Sequence, residues 1–96
     1  MKIRVNLCEP FHQPAHKFIV TIDREDIDHL KYAIYEETKI HPMVQRVICS
    51  GKELVNENWN QLMKTDNEIM EVCLVDARVI NGENYHKNLP AVVKPK

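Results

Sequence analysis

Ile40-His41-Pro42-Met43-Val44-Gln45-Arg46-Val47-Ile48-Cys49-Ser50-Gly51-Lys52-Glu53-Leu54 is the most informative run in this 96-residue chain. Its proline pushes His41 out of the α region, so a helix arriving from upstream has to stop first, near Thr38 or Lys39. Gln45 to Cys49 has the residue types of a short strand. Ser50-Gly51-Lys52 supplies a tight turn, and Glu53-Leu54-Val55 a brief returning strand. Strand alternation gives the run two sides. If Val47 and Cys49 point at a core, Arg46 and Ile48 point away from it.

The flanks extend this reading. Upstream, Ile27, Leu30, Ala33 and Ile34 fall at i, i+3, i+6 and i+7, one apolar stripe of a helix. Asp26 precedes the stripe and is its expected N-cap, its carboxylate also favouring the positive helix end, with Asp28 adding to that. No glycine follows the stripe, so Lys39 is expected to take a positive φ at the C-cap. Before the helix, Met1, Ile3, Val5 and Leu7 alternate with Lys2, Arg4 and Asn6. Phe18, Val20 and Ile22 alternate with Lys17, Ile19, Thr21 and Asp23. Both patterns predict half-buried strands, joined as a hairpin through the proline-bearing loop Cys8–His16.

Downstream, Asn56-Glu57-Asn58 reads as a turn, and Trp59, Leu62 and Met63 as one helical turn set on the core. Ile69 to Val75 is the last strand, with Met70, Val72 and Leu74 on one face and Glu71, Cys73 and Val75 on the other. The order β-β-α-β-β-β gives an α+β fold in which the helix covers the apolar side of the sheet. From Ala77 onward periodicity is lost and prolines and lysines accumulate. The reading is a domain at residues 1–76 and a flexible tail or linker at 77–96.

Composition narrows the function. The 44% apolar and 28% charged fractions are those of an ordinary globular domain, and a net charge of −1 gives no field toward nucleic acid or membrane. Two glycines, Gly51 and Gly82, leave no room for a dinucleotide or phosphate loop. Ser50, the sole serine, is not in a nucleophile-elbow motif. The opening residues lack the long apolar stretch of a secretory signal, so none is expected, and no apolar run approaches about 20 residues. Cys8, Cys49 and Cys73 are odd in number and lack a C-x-x-C pair, which points to a reducing compartment, cytoplasm or nucleus. Cys8, His12 and His16 have C-x3-H-x3-H spacing, but histidines four apart share a face only on a helix, and Pro10 and Pro14 oppose one. Neither a metal nor a cofactor is expected. No cysteine has a fixed cation and orienting acid, so no enzymatic activity is expected either.

The run Ile40 to Leu54, the helix positions Ile27, Leu30, Lys31 and Ile34, the opening Met1-Lys2-Ile3-Arg4-Val5 and the stretch Met70 to Leu74 together resemble ubiquitin and its relatives. The resemblance spans roughly residues 1–76 and implies the β-grasp fold, a mixed sheet wrapped on one helix. It also implies a partner-binding patch on the sheet centred on the isoleucine at position 48, with Arg46 supplying charge complementarity. Val75, Cys73 and the residues Leu7, Cys8 or Phe11 are the expected apolar companions. Cys73 stands where the family carries valine, and Glu71 where ubiquitin carries histidine. Glu71 is therefore expected to set an acid beside the patch and to favour a partner with a basic rim.

Conjugatable relatives end in a double glycine after the last strand, whereas Asp76-Ala77-Arg78-Val79 continues without one. The resemblance thus implies a monomeric, non-conjugated ubiquitin-like module that docks proteasomal receptors or ubiquitin-interacting helices. Two other roles fit the same residues. One is a regulatory domain acting in cis on an attached ligase, deubiquitinase or kinase. The other is a scaffold that has lost ubiquitin-type binding and uses the loop Pro10–Pro14.

Overall fold

The computed structural model describes residues 1–7, 17–63, 69–76 and 90–96. Two strands open the chain, β1 (Lys2–Leu7) and β2 (Lys17–Thr21). They pair antiparallel, Ile3 opposite Val20 and Val5 opposite Phe18. Met1 and Ile22 exchange two further hydrogen bonds of 2.9 and 3.0 Å at the open end of this hairpin.

Helix α1 (Ile27–Thr38) begins where the spacing of apolar residues requires. Asp26 is extended, and its Oδ1 accepts from the His29 N–H at 2.8 Å. A second free N–H, that of Ile27, donates to Asn56 Oδ1 at 2.9 Å, so a distant loop completes the cap. At the other end Lys39 has φ 63°, its N–H donates to Tyr35 O at 2.7 Å, and its ammonium lies 5.5 Å from the centre of the Tyr35 ring. Thr38 Oγ1 donates back to Ile34 O and accepts from Ile40 N–H, steering the exit.

The chain then makes a 3-10 turn at Pro42–Val44 before β3 (Gln45–Cys49). Sequence reading left this turn out; its N-cap is His41, whose Nδ1 accepts from the Met43 N–H at 3.1 Å. Ser50 (φ 54°) and Gly51 (φ 80°) form the two-residue turn into β4, a pair of positive φ values suited to a mirror-image hairpin turn. β4 is only Lys52–Glu53, not the Glu53–Val55 expected from sequence. Asn58 accounts for the difference. Its side chain accepts from Val55 N–H and donates to Glu53 O, both at 2.9 Å, winding Asn56–Asn58 into a 3-10 turn ahead of α2 (Trp59–Leu62).

β5 (Ile69–Asp76) lies between β1, to which it is parallel, and β3, to which it is antiparallel. The sheet order is β2-β1-β5-β3-β4. Ile3, Val5, Val20, Val47, Cys49, Val72 and Leu74 face Ile27, Leu30 and Ile34 of α1 in one core, closed by Leu54, Trp59 and Met63. Leu7 packs against this core as well, because it continues the inward set of β1; it does not join the outer face as sequence reading allowed.

Two measurements check these terminal devices. Lys39→Gly relieves an L residue of the left-handed conformation, which costs about 1–2 kcal/mol, against about 0.5–1 kcal/mol of extra chain entropy. Denaturant unfolding is expected to show a small net gain in stability. Desolvation opposes ionisation of Asp26, but the hydrogen bonds from His29 outweigh it and hold the carboxyl below its ordinary value of 3.8. The carboxylate's contribution is therefore complete above pH 3.8 and disappears as pH falls through the lower folded value. Asp26→Ala is expected to cost about 1 kcal/mol at pH 7, in line with other lost caps, and less once the pH has fallen through the lowered folded value.

Candidate functional site

The inward set of each strand fixes its outward set. On β3 Val47 and Cys49 are buried, which turns Arg46 and Ile48 to the other side; Arg46 is exposed and Ile48 half-buried. On β5 the same alternation buries Val72 and Leu74 and turns Glu71, Cys73 and Val75 outward, with Cys73 and Val75 half-buried. Ile48, Cys73 and Val75 belong to neither the core nor its margin.

Register brings these residues together. Ile48 is directly opposite Cys73 and Arg46 opposite Val75, so a small apolar group runs across the β3–β5 boundary. At cross-strand spacing the side chains of such pairs touch. Ile48 is flanked on its other side by Glu53 of β4. Arg46 Nη1 and Glu53 Oε1 are 3.4 Å apart and both about half exposed, an ion pair weak enough to leave Arg46 available to a partner.

Glu71 is not an isolated acid. Asn6 Nδ2 donates to its Oε1 at 3.0 Å, and Arg4 is its register partner on β1. The row continues through Arg4 to Ile19 of β2, an isoleucine 47% exposed that sequence reading placed outward without assigning it a role. Among the described residues the outward positions include Lys2, Arg4, Lys17 and Arg46 against Glu53 and Glu71. The outer face is thus more basic than acidic. Glu71 is the acid expected beside the apolar group, and it has an amide donor from Asn6 and a cation, Arg4, at its register position on β1.

Cys8 and Phe11, with His12, His16 and the whole Pro10–Pro14 loop, lie outside the described residues, as do residues 77–89 of the proposed tail. Of the two described cysteines, both free, Cys49 is buried with its Sγ 3.6 Å from Leu62 O. Cys73 is the thiol that reaches the outer face.

No protein-family model matches the chain, and no curated protein does. Among solved structures it is similar to the NMR solution structure of the ubl5 domain from the polyubiquitin locus of T. thermophila. That likeness has a TM-score of 0.50 at 20% sequence identity and covers 77% of this chain and 89% of the other. With the five-stranded mixed sheet and its single long helix, the chain has the ubiquitin-like β-grasp fold.

Proposed function

We propose that this ubiquitin-like module is a non-enzymatic docking domain whose outer sheet face receives partners of the ubiquitin and proteasome system. The observation that carries the reading is the cross-strand group Ile48, Cys73 and Val75, which no core contact uses, beside the partly exposed cation Arg46. Apolar side chains left half-covered on a sheet and rimmed by charge suit an amphipathic helix laid across them. The surplus of basic residues favours a helix with acidic flanks, the chemistry of a ubiquitin-interacting helix, over one with basic flanks. The lack of a double glycine after β5 supports docking over covalent transfer. A reducing setting, cytoplasm or nucleus, suits the free thiol of Cys73.

NMR titration of the full chain with ubiquitin-interacting helices, and separately with proteasomal receptor fragments, tests this. The expected shifts cluster at Ile48, Cys73, Val75 and Arg46. Ile48→Ala is expected to weaken binding by roughly 1–3 kcal/mol, about 5- to 150-fold, with the unfolding midpoint little changed. Saturable binding that leaves these four amides unmoved, or that Ile48→Ala does not affect, defeats the reading. Shifts confined to Phe11 and its neighbours would give the loop that role instead.

A further inference from the structure

The second surface lies on the opposite side of the molecule, where α1 turns away from the sheet. Residues 90–96, Pro-Ala-Val-Val-Lys-Pro-Lys, form neither helix nor strand, yet they are held against this side at several points. At one end His41 Nδ1 accepts from the Met43 N–H, which places the proton of the neutral ring on Nε2. That nitrogen then donates to the Pro90 carbonyl at 2.7 Å. At the far end Arg24 Nη1 donates to the main-chain oxygen of Lys96 at 3.0 Å.

Between these ends Val93 and Pro95 border an open cavity of about 350 Å³ whose other walls include Asp28, Tyr32, Pro42 and Met43. Met43 is 67% exposed, a long apolar side chain on a surface with little else to cover it. Lys94 borders an adjoining hollow with Asp23 and Glu36. The surface therefore combines an aromatic ring, a thioether and a proline with three carboxylates, Asp28, Asp23 and Glu36, against one lining cation, Lys31, and the segment brings valine, proline and two lysines. Two prolines stiffen an extended segment, so less chain entropy is lost when it is laid down.

We propose that the solvent side of α1, with the 3-10 turn at Pro42–Val44, is a docking groove for a short, extended, basic segment carrying valine and proline, and that residues 90–96 occupy it in cis. Contact is shallow, since Val93 remains 79% exposed. Tethering compensates, because a short connection supplies an effective concentration on the order of millimolar. A weak cis occupant of this kind shields the groove and yields it to a better-matched segment from outside. The proposal does not rest on the sheet-face reading, and its failure would leave that reading untouched.

The experiment compares amide spectra of the full chain and of the chain ended at Leu89. Asp28, Lys31, Tyr32 and Met43 are expected to shift between the two. A synthetic peptide of residues 90–96 added to the shortened chain should return them toward their full-chain positions, with half-saturation around 1 mM. The peptide carrying Lys94→Glu and Lys96→Glu should bind about threefold more weakly or worse, and 0.5 M salt should weaken the unaltered peptide. Should the shortened chain fail to fold, Arg24→Ala in the full chain serves in its place, moving the Lys96, Lys94 and Tyr32 amides while Ile48 and Cys73 stay still. Coincident full and shortened spectra at the four groove amides overturn the proposal, as do peptide shifts centred on the sheet face. Shifts that grow with protein concentration also overturn it, since they would assign the occupant to a second copy.

Discussion

A buried amide ties the exit of the helix to the first residue of β3, and the direction in which Ile48 looks depends on it. Gln45 is 1% exposed, and its Nε2 donates to Lys31 O within α1 and to Ile40 O after it, each at 2.9 Å. Carbonyls on both sides fix the amide's orientation, because a flipped amide would aim its oxygen at two acceptors. The cost is visible at Oε1, which has no partner among the described residues. An unsatisfied buried acceptor is worth about 1–3 kcal/mol, so the two donated bonds offset an appreciable penalty. What the arrangement secures is register. A slip of one residue would exchange Arg46 and Ile48 for Val47 and Cys49 and place a guanidinium under the helix.

With β3 fixed in this way, the electrostatics of the outer face follow from the sheet order. β5 is central, so its outward residues can have neighbours on two strands: Cys73 lies between Asn6 of β1 and Ile48 of β3, whereas Glu71, beyond the β3 register, is opposite Arg4 and bonded to Asn6, both on β1. Lys2, Arg4, Asn6 and Lys17 gather on β1 and β2 beside the single isoleucine Ile19, while Ile48, Cys73 and Val75 group at the β3–β5 boundary with Arg46 and Glu53 at their edge. A partner therefore meets a graded surface rather than a uniform patch. Desolvating Ile48 and Cys73 provides the apolar contribution, whereas the cations act at longer range and mainly set which partners approach and how fast.

Local devices were legible in the sequence and long-range ones were not. The bounds of α1 could be read because Asp26, the apolar stripe and Pro42 each act within a few residues of the feature they determine, and the same holds for the positive φ at Lys39. The turn at Pro42–Val44 escaped notice because its cap is a histidine used as an acceptor, a role shared with many others open to that side chain. β4 was drawn too long because the signal that ends it is the Asn58 side chain reaching back over the turn. The surroundings of Glu71 were out of view for a deeper reason: its bonded partner Asn6 is 65 residues away, and only the parallel pairing of β1 with β5 brings them together. Gln45 looked like an ordinary strand residue, since nothing in its neighbours announces that one of its acceptors lies within a helix and the other just beyond that helix's end.

The two surfaces are separated by a close-packed core, and such a core transmits shape changes poorly unless it has a second packing to adopt. Electrostatics reach further than packing, and Lys31 feels charges from both sides. Its residue lines the groove on α1, and its main-chain oxygen holds Gln45. Burial lowers the pKa of its ammonium group, Glu53 and Asp28 oppose that shift, and Arg46 adds to it. Glu53 and Arg46 belong to the outer face, whereas Asp28 belongs to the groove. Because Lys31 is partly withdrawn from water, its interactions with both sets are screened less than those between exposed charges. The carboxylates that oppose its shift thus come from two different elements, Asp28 from α1 and Glu53 from β4, so the charge on this one ammonium group answers to residues of both surfaces.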